Sequence, residues 1–159
     1  MMADQMDRAA ASQEDRGFKV RALGEIAIRC ANLATMSDFY RNVIGLEPYA
    51  RRPHGESEIH FFRIAEGFGG HTAVLALFPQ DAPLLPHESV DRRGGALHHL
   101  ALTVSWDEQA NVCAWYDKLG QEYRVTDFAW TGWRGVFTRD PEGNTVELVA
   151  GAPHGPWQE

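Results

Sequence analysis

Hydrophobic and polar residues alternate along several short stretches of the chain, and one alternating stretch occurs twice. Glu25-Ile-Ala-Ile-Arg-Cys30 recurs in the second half as His99-Leu-Ala-Leu-Thr-Val104. Alternation with a period of two predicts a β-strand in each copy. Each copy is followed by apolar residues at helical spacing that end at a glycine, Gly45 or Gly120. An internal repeat of this kind predicts two equivalent modules that pack on each other.

The same periodicities predict one helix and three further strands in each half. Thr35 is the expected N-cap of the first helix, and Ser105 with Glu108 forms a capping box before the second. A single βαβββ module would leave one sheet face exposed and its edges unpaired. We therefore expect an α+β fold, in which two βαβββ modules form a curved eight-stranded mixed sheet, an open barrel around a cleft with the helices outside. The expected boundaries are a polar arm (1–17), the first module (18–78), a linker (79–95), the second module (96–150) and a tail (151–159).

Composition and net charge argue against several classes of protein, including nucleic-acid-binding and membrane-spanning proteins. The 159 residues are 44% hydrophobic with a net charge of −7, which is typical of a packed globular protein. The negative charge argues against nucleic acid, whose binding relies on neutralising phosphates. No apolar run approaches the roughly 20 residues of a membrane helix, and no secretory signal is evident, so a cytoplasmic location is expected. Cys30 and Cys113 are interpreted as reduced core residues.

Two potential metal ligands fall at matching places in the repeat, and a third lies in the last predicted strand. Glu25 and His99 open the two repeated strands, and Glu147 lies in the last predicted strand. One imidazole and two carboxylates can hold Mn²⁺, Ni²⁺, Zn²⁺ or Mg²⁺, which would act as a Lewis acid on a small oxygen-rich substrate. Glu25 and Glu147 are then also the candidate catalytic carboxylates. Two alternatives stay open: a metal-free polar cluster balanced by Arg29 or Arg134, and Glu25 as a general base that binds no metal.

Five further residues are candidates for a substrate pocket. His71 begins a predicted strand after two glycines, and His60 lies in an alternating strand. Trp130, Trp133 and Arg134 form an aromatic and cationic run that could line a pocket wall and hold an anionic group. The same tryptophans could instead cover a sheet edge or a subunit contact.

Neighbouring residues are expected to control how the candidate ligands are presented. Alternation along a strand would send His98 to the face opposite His99, so only His99 would face the cleft. The turn Asp140-Pro-Glu-Gly-Asn144 is expected to set the register of the strand that carries Glu147.

Three motifs resemble the vicinal oxygen chelate superfamily. They are Asp38-Phe-Tyr-Arg-Asn-Val-Ile-Gly-Leu46, His99-Leu-Ala-Leu102 and Asp140-Pro-Glu-Gly-Asn-Thr-Val-Glu-Leu148, within a resemblance that covers about Leu23 to Ala150. The superfamily includes glyoxalase I, methylmalonyl-CoA epimerase, extradiol dioxygenases, and fosfomycin- and bleomycin-resistance proteins. Resemblance at this level implies a fold more firmly than a reaction.

The resemblance implies metal ligands at Glu25, His99 and Glu147. This chain departs from the family because a Glu replaces the usual first His, and because the fourth position, Val74 or Leu75, offers no ligand. The implied function is that of a metal-dependent lyase or isomerase, with a dioxygenase less favoured. The alternative is a metal-free protein of the bleomycin-resistance type that sequesters a small molecule. A homodimer is also expected, with Trp106 or Trp157 as a possible contact.

Overall fold

The structure of the chain is a computed structural model that describes residues 21–80, 97–130 and 132–154. The predicted polar arm, most of the predicted linker and the end of the predicted tail lie outside the described residues. In the described part, the order βαβββ occurs twice, which confirms the predicted α+β fold of two βαβββ repeats. None of the described helices is long and apolar enough to span a membrane.

The first repeat forms a four-stranded sheet, called here the first sheet. Its elements are β1 (Glu25–Cys30), α1 (Leu33–Asp38) with a following π-helical turn (Phe39–Val43), β2 (Glu47–His54), β3 (Ser57–Phe68) and β4 (His71–Pro79). The strand order is β1-β4-β3-β2. β1 is parallel to β4, whereas the other neighbours are antiparallel, so the sheet is mixed.

The second repeat forms the second sheet with the same topology. Its elements are β5 (Leu100–Thr103), α2 (Gln109–Leu119), β6 (Arg124–Phe128), β7 (Trp133–Arg139) and β8 (Thr145–Gly151). The strand order is β5-β8-β7-β6, with β5 parallel to β8. In the described ranges no strand pair joins the two sheets, so the eight strands form two four-stranded mixed sheets instead of one continuous ladder.

The helix ends follow local side-chain chemistry, partly as predicted. Gly120 ends α2 in the left-handed conformation (φ 66°), which confirms its predicted role. The predicted N-cap of α1 is wrong by one turn, because the Asn32 side chain accepts a hydrogen bond from the Thr35 amide at 2.9 Å. Only one half of the predicted capping box forms, because the Glu108 carboxylate accepts hydrogen bonds from the Ser105 amide and hydroxyl. The helix α2 begins at Gln109, one residue after Glu108.

The apolar sides of both sheets pack under the helices in one hydrophobic core. This core includes Ile28 and Leu77 from the first sheet and Leu102 and Val146 from the second. Burial of these side chains supplies the main driving force for folding. One side of each sheet therefore faces a helix, and the opposite side is called here the helix-free side.

The turn after β7 links the two repeats. Both carboxylate oxygens of Glu142 accept hydrogen bonds from the start of α1, at the Ala31 amide (2.7 Å) and the Asn32 amide (3.1 Å). The buried Tyr40 hydroxyl donates to Oδ2 of the buried Asp140 at 3.0 Å. The turn was expected to set a strand register, and the structure gives it a second role in joining the repeats.

Candidate metal and ligand site

His99 and Glu147 meet on the helix-free side of the second sheet. Val146 and Leu148 lie in the core, so Glu147 between them projects to the opposite side. His99 immediately precedes β5, in which Ala101 is the register partner of Glu147. Nε2 of His99 lies 3.3 Å from Oε2 of Glu147. The structure thus brings together two of the three predicted metal ligands.

The environment of Glu147 differs from that of an ordinary surface carboxylate. The residue is only 6% exposed, although its carboxylate must be solvated or paired to be charged. Loss of solvation raises the pKa of Glu147, and the nearby His99 partly opposes this rise. Glu147 therefore holds a proton more readily than a free glutamate does.

Gly135 leaves the space that the Glu147 carboxylate occupies. A Cβ at this position would overlap Oε1 of Glu147 and would lie 2.6 and 2.9 Å from two ring carbons of Phe137. Gly135 does not adopt a left-handed backbone conformation, so its backbone alone does not require glycine. A glycine inside a strand weakens the strand and often marks a close approach of another group. Here the group that approaches the glycine is the carboxylate of Glu147, one of the candidate metal ligands.

Aromatic rings surround the His99–Glu147 pair. The Phe137 ring lies 6.4 Å from the His99 ring and 6.1 Å from the Phe128 ring, edge to face in both cases. The Arg124 guanidinium lies 5.9 Å from the centroid of Phe137. Trp133 is paired with Phe128 across the β6–β7 ladder and is 45% exposed. The site therefore combines a polar centre with an apolar wall and a cation, a combination typical of small-molecule sites.

Glu25 occupies the equivalent place on the first sheet. It opens β1 and is exposed, whereas Ile28 in the same strand lies in the core, so Glu25 belongs to the helix-free side. Within residues 21–80, 97–130 and 132–154, no three His, Cys, Asp or Glu side chains form a group that could hold a metal ion. Glu25 does not join His99 and Glu147 within one chain, and the predicted trio stays a prediction.

The strand register corrects the expected position of a fourth ligand. Glu147 is paired with Ala101 in the second sheet, and the corresponding pair in the first sheet is Ala76 with Ala27. Ala76, and not Val74 or Leu75, is therefore equivalent to Glu147. The conclusion is unchanged, because alanine has no donor atom.

As a metal site, the pair in one chain supplies two of the three predicted ligands. An imidazole nitrogen and a carboxylate oxygen are donor types that divalent ions accept, and a separation of 3.3 Å suits neighbouring positions around one ion. Catalytic sites commonly use about three protein ligands. A third donor must therefore come from outside this pair.

His98 contacts the candidate ligand His99, and the sequence analysis did not predict this contact. Its Nδ1 lies 2.7 Å from Nδ1 of His99. The expectation that His98 would face the opposite side is wrong, because β5 begins only at Leu100 and strand alternation does not extend to these residues. Hydrogen bonding to the second nitrogen of a ligating histidine is a common means of fixing the orientation of its ring.

Of two further predicted pocket residues, one faces away from the pair and the other is largely exposed. Arg134 faces the helix side, where its Nε donates to Gln109 Oε1 at 2.7 Å and its guanidinium stacks over Trp106 at 4.0 Å. Trp106 thus contacts Arg134 within the chain. Trp130 is 77% exposed in the turn after β6.

The two predicted pocket histidines both lie in the first sheet. His60 is paired with Leu77 and faces α1, where its Nδ1 lies 2.5 Å from the Ser37 hydroxyl oxygen. His71 lies beside Gly24, because a Cβ on that glycine would be 3.6 Å from the His71 ring. His71 is therefore near the start of β1, beside the residue that precedes Glu25, whereas His60 faces the helix side of the same sheet.

The fold is shared with several solved structures. An integron cassette protein from the mobile metagenome of Halifax Harbour sewage outfall aligns with a TM-score of 0.62 and 17% identity, covering 82% of this chain and 99% of the other. TnmS3, an antibiotic binding protein from Streptomyces sp. CB03234, has a TM-score of 0.61 and 18% identity, with 85% and 99% covered. Lactoylglutathione lyase from Agrobacterium tumefaciens has a TM-score of 0.59 and 24% identity, with 84% and 96% covered. At these identities the likeness establishes the fold.

The family itself is identified from the sequence match. No curated protein is similar enough to this chain to count as a relative. Residues 22–148, which include both repeats and the His99–Glu147 pair, match the model of the Glyoxalase/Bleomycin resistance protein/Dioxygenase superfamily. Because this match spans most of the chain and the paired βαβββ sheets agree with it, the protein belongs to that superfamily.

Proposed function

We propose that the protein is a glyoxalase-type lyase or isomerase that acts on a small, oxygen-rich molecule at a divalent metal ion. In this proposal His99 and Glu147 of one chain and Glu25 of a second copy hold the ion. The observation that carries the proposal is the His99–Glu147 pair, in which a buried carboxylate lies 3.3 Å from a partly exposed imidazole. Buried carboxylates are costly unless a cation or proton compensates them.

The repeat supports completion of the site by a second copy. Glu25 and His99 are at equivalent repeat positions, and Glu25 is exposed on the helix-free side of its sheet. In a two-fold symmetric dimer each contact occurs twice. Placing the first sheet of one chain against the second sheet of its partner would therefore create two identical sites. Each site would contain the Glu-His-Glu donor set.

The residues around the pair suggest how such a site would work. A bound divalent ion would supply Lewis-acid polarisation of two adjacent substrate oxygens. Glu147 would place a carboxylate beside the reacting atoms, where it could accept a proton from the carbon next to a substrate carbonyl. Phe137 and Phe128 would exclude water from the reacting atoms, and Arg124 beside Phe137 would attract an anionic group.

A second candidate function is metal-free binding of a small aromatic molecule. The partly exposed Trp133 and the Phe128–Phe137 pair favour it, because stacking on aromatic rings needs no metal. The similar structures include both a lyase and an antibiotic binding protein, so each candidate has a precedent on this fold.

Metal content of the purified protein distinguishes the candidates. After loading with Mn²⁺, Ni²⁺ or Zn²⁺ and dialysis, the enzyme proposal predicts close to one ion per chain, by elemental analysis. Glu25→Gln, His99→Ala and Glu147→Gln should each reduce this content at least about tenfold. Glu122→Gln, which changes an exposed carboxylate outside the pair, is the matched control and should retain the ion. Wild-type protein that binds no ion, but is stabilised by planar aromatic ligands, would support the binding protein instead.

A further inference from the structure

A second cluster of polar side chains lies on the helix-facing side of the first sheet. The Ser37 hydroxyl oxygen is 2.5 Å from Nδ1 of His60, and Nε2 of His60 is 3.3 Å from Oε2 of Glu58. His60 is only 9% exposed, so its ring is fixed between these two partners. A hydroxyl next to a base that is oriented by a third group is the arrangement that activates a serine nucleophile.

This cluster opens into a cavity of about 370 Å³ between α1 and the β2–β3 hairpin. Such a volume lies within the range for small-molecule sites. Two arginines and one aspartate are among its charged lining residues, and Arg51 also lies 3.7 Å from Oε2 of Glu58, so Arg41 is the lining cation offered to a ligand with a negative charge. The lining used in this argument is Ser37, Asp38, Arg41, Tyr49, Arg51 and His60.

We propose that Ser37 is the nucleophile of a separate acyl-transfer site for an ester of a small carboxylic acid that carries an anionic group. Ser37 Oγ forms a bond to the ester carbonyl carbon while its proton passes to Nδ1 of His60. Glu58 accepts a hydrogen bond from Nε2–H and stabilises the imidazolium. Arg41, one of the two arginines that line the cavity, would stabilise the oxyanion.

The cycle closes with water as the second reactant. The bond from the carbonyl carbon to the alcohol oxygen breaks, and the leaving alkoxide takes the proton from His60. Water then attacks the acyl-serine with His60 as base, which releases the carboxylic acid and restores the Ser37 hydroxyl. No electron transfer is involved.

This site is distinct from the one proposed above. His60 projects from β3 toward the core side of the first sheet, together with Leu77, whereas Glu25 projects from the helix-free side. The acyl-transfer proposal therefore stands or fails independently of metal binding, and metal content reports only on the other site.

Labelling with a fluorophosphonate probe, followed by peptide mass spectrometry of the full chain, tests the proposal. The expected adduct is on Ser37. Ser105 is an internal control, because it is exposed but its hydroxyl bonds a carboxylate, Glu108, and no imidazole. If solvent accessibility alone controlled labelling, Ser105 would be labelled, whereas activation of the hydroxyl by an imidazole predicts labelling of Ser37. Adduct on neither serine, or equal adduct on both, overturns the proposal.

Variants extend the same test. Ser37→Ala should abolish labelling at this site and the release of p-nitrophenol from p-nitrophenyl acetate. Glu58→Gln changes a side chain that is 48% exposed, so the fold should tolerate it, and labelling of Ser37 should slow at least about tenfold. Release of p-nitrophenol that is unchanged in Ser37→Ala, or labelling that is unchanged in Glu58→Gln, would rule out the assigned roles.

Discussion

Replacing Tyr40 by Phe should destabilise the protein, because the Tyr40 hydroxyl joins the two repeats. Tyr40 is fully buried and donates to Oδ2 of Asp140, which is only 4% exposed. Without the hydroxyl, Oδ2 keeps a hydrogen bond from the Asn144 side-chain amide at 2.8 Å. A hydrogen bond to a charged group contributes roughly 1.5–3 kcal/mol, so we expect a loss of that size in the free energy of unfolding.

Tyr116→Phe is the matched control. Tyr116 is equally buried, and burial raises its pKa to about 12, but its hydroxyl has no hydrogen-bond partner among the described residues. Removing an unsatisfied buried hydroxyl should leave stability unchanged or increase it. Urea denaturation gives the free energies, and for a chain of this size the Tyr40 variant should also melt about 3–12 °C lower. Equal losses in the two variants would refute the role assigned to the Tyr40–Asp140 bond.

Three further predictions concern the pair and the turn. Gly135→Ala should lower metal or ligand affinity at least about tenfold, measured by calorimetric titration with circular dichroism unchanged, because the added methyl displaces the Glu147 carboxylate. In metal-free protein, the raised pKa of Glu147 contributes stability below its ordinary value of 4.5, and this stability is lost as pH rises through the folded pKa. The unfolding free energy of wild type relative to Glu147→Gln should therefore fall as the pH rises above 4.5. Glu142→Ala should cost about 1–3 kcal/mol in urea denaturation, because the Ala31 and Asn32 amides lose their acceptor.

The fold was predictable because short local patterns specify its elements and because the same order of elements occurs in both halves of the chain. Alternation around Glu25 and His99 identifies the strand that opens each repeat, and Gly120 marks a helix end through its backbone preference alone. The contact between Glu147 and His99 was implied by the family resemblance, and the parallel pairing of β5 with β8 brings the two side chains to one side of the sheet.

The remaining site residues depend on contacts that sequence spacing does not reveal. The Tyr40–Asp140 bond joins residues from different repeats, and no local pattern signals it. Two local features of the sequence did carry information about the site. Phe62 lies in the core two positions after His60, which indicates that His60 faces the helix. Gly135 interrupts a predicted strand, which indicates a close approach of another group. Arg134 follows Trp133 directly, so alternation alone separates them onto opposite sides.

In the proposed dimer, Glu25 of one chain completes the metal site formed by His99 and Glu147 of another. The most direct measurement is the metal content of a mixed dimer, made by co-expressing Glu25→Gln and His99→Ala chains with different affinity tags and selecting for both. Each parent variant alone should lack the ion. The mixed dimer should regain one of its two sites, or about 0.5 ion per chain, since only one Glu-His-Glu set is then intact. A mixed dimer as empty as its parents, or failure to recover any two-tag species, would contradict the claim.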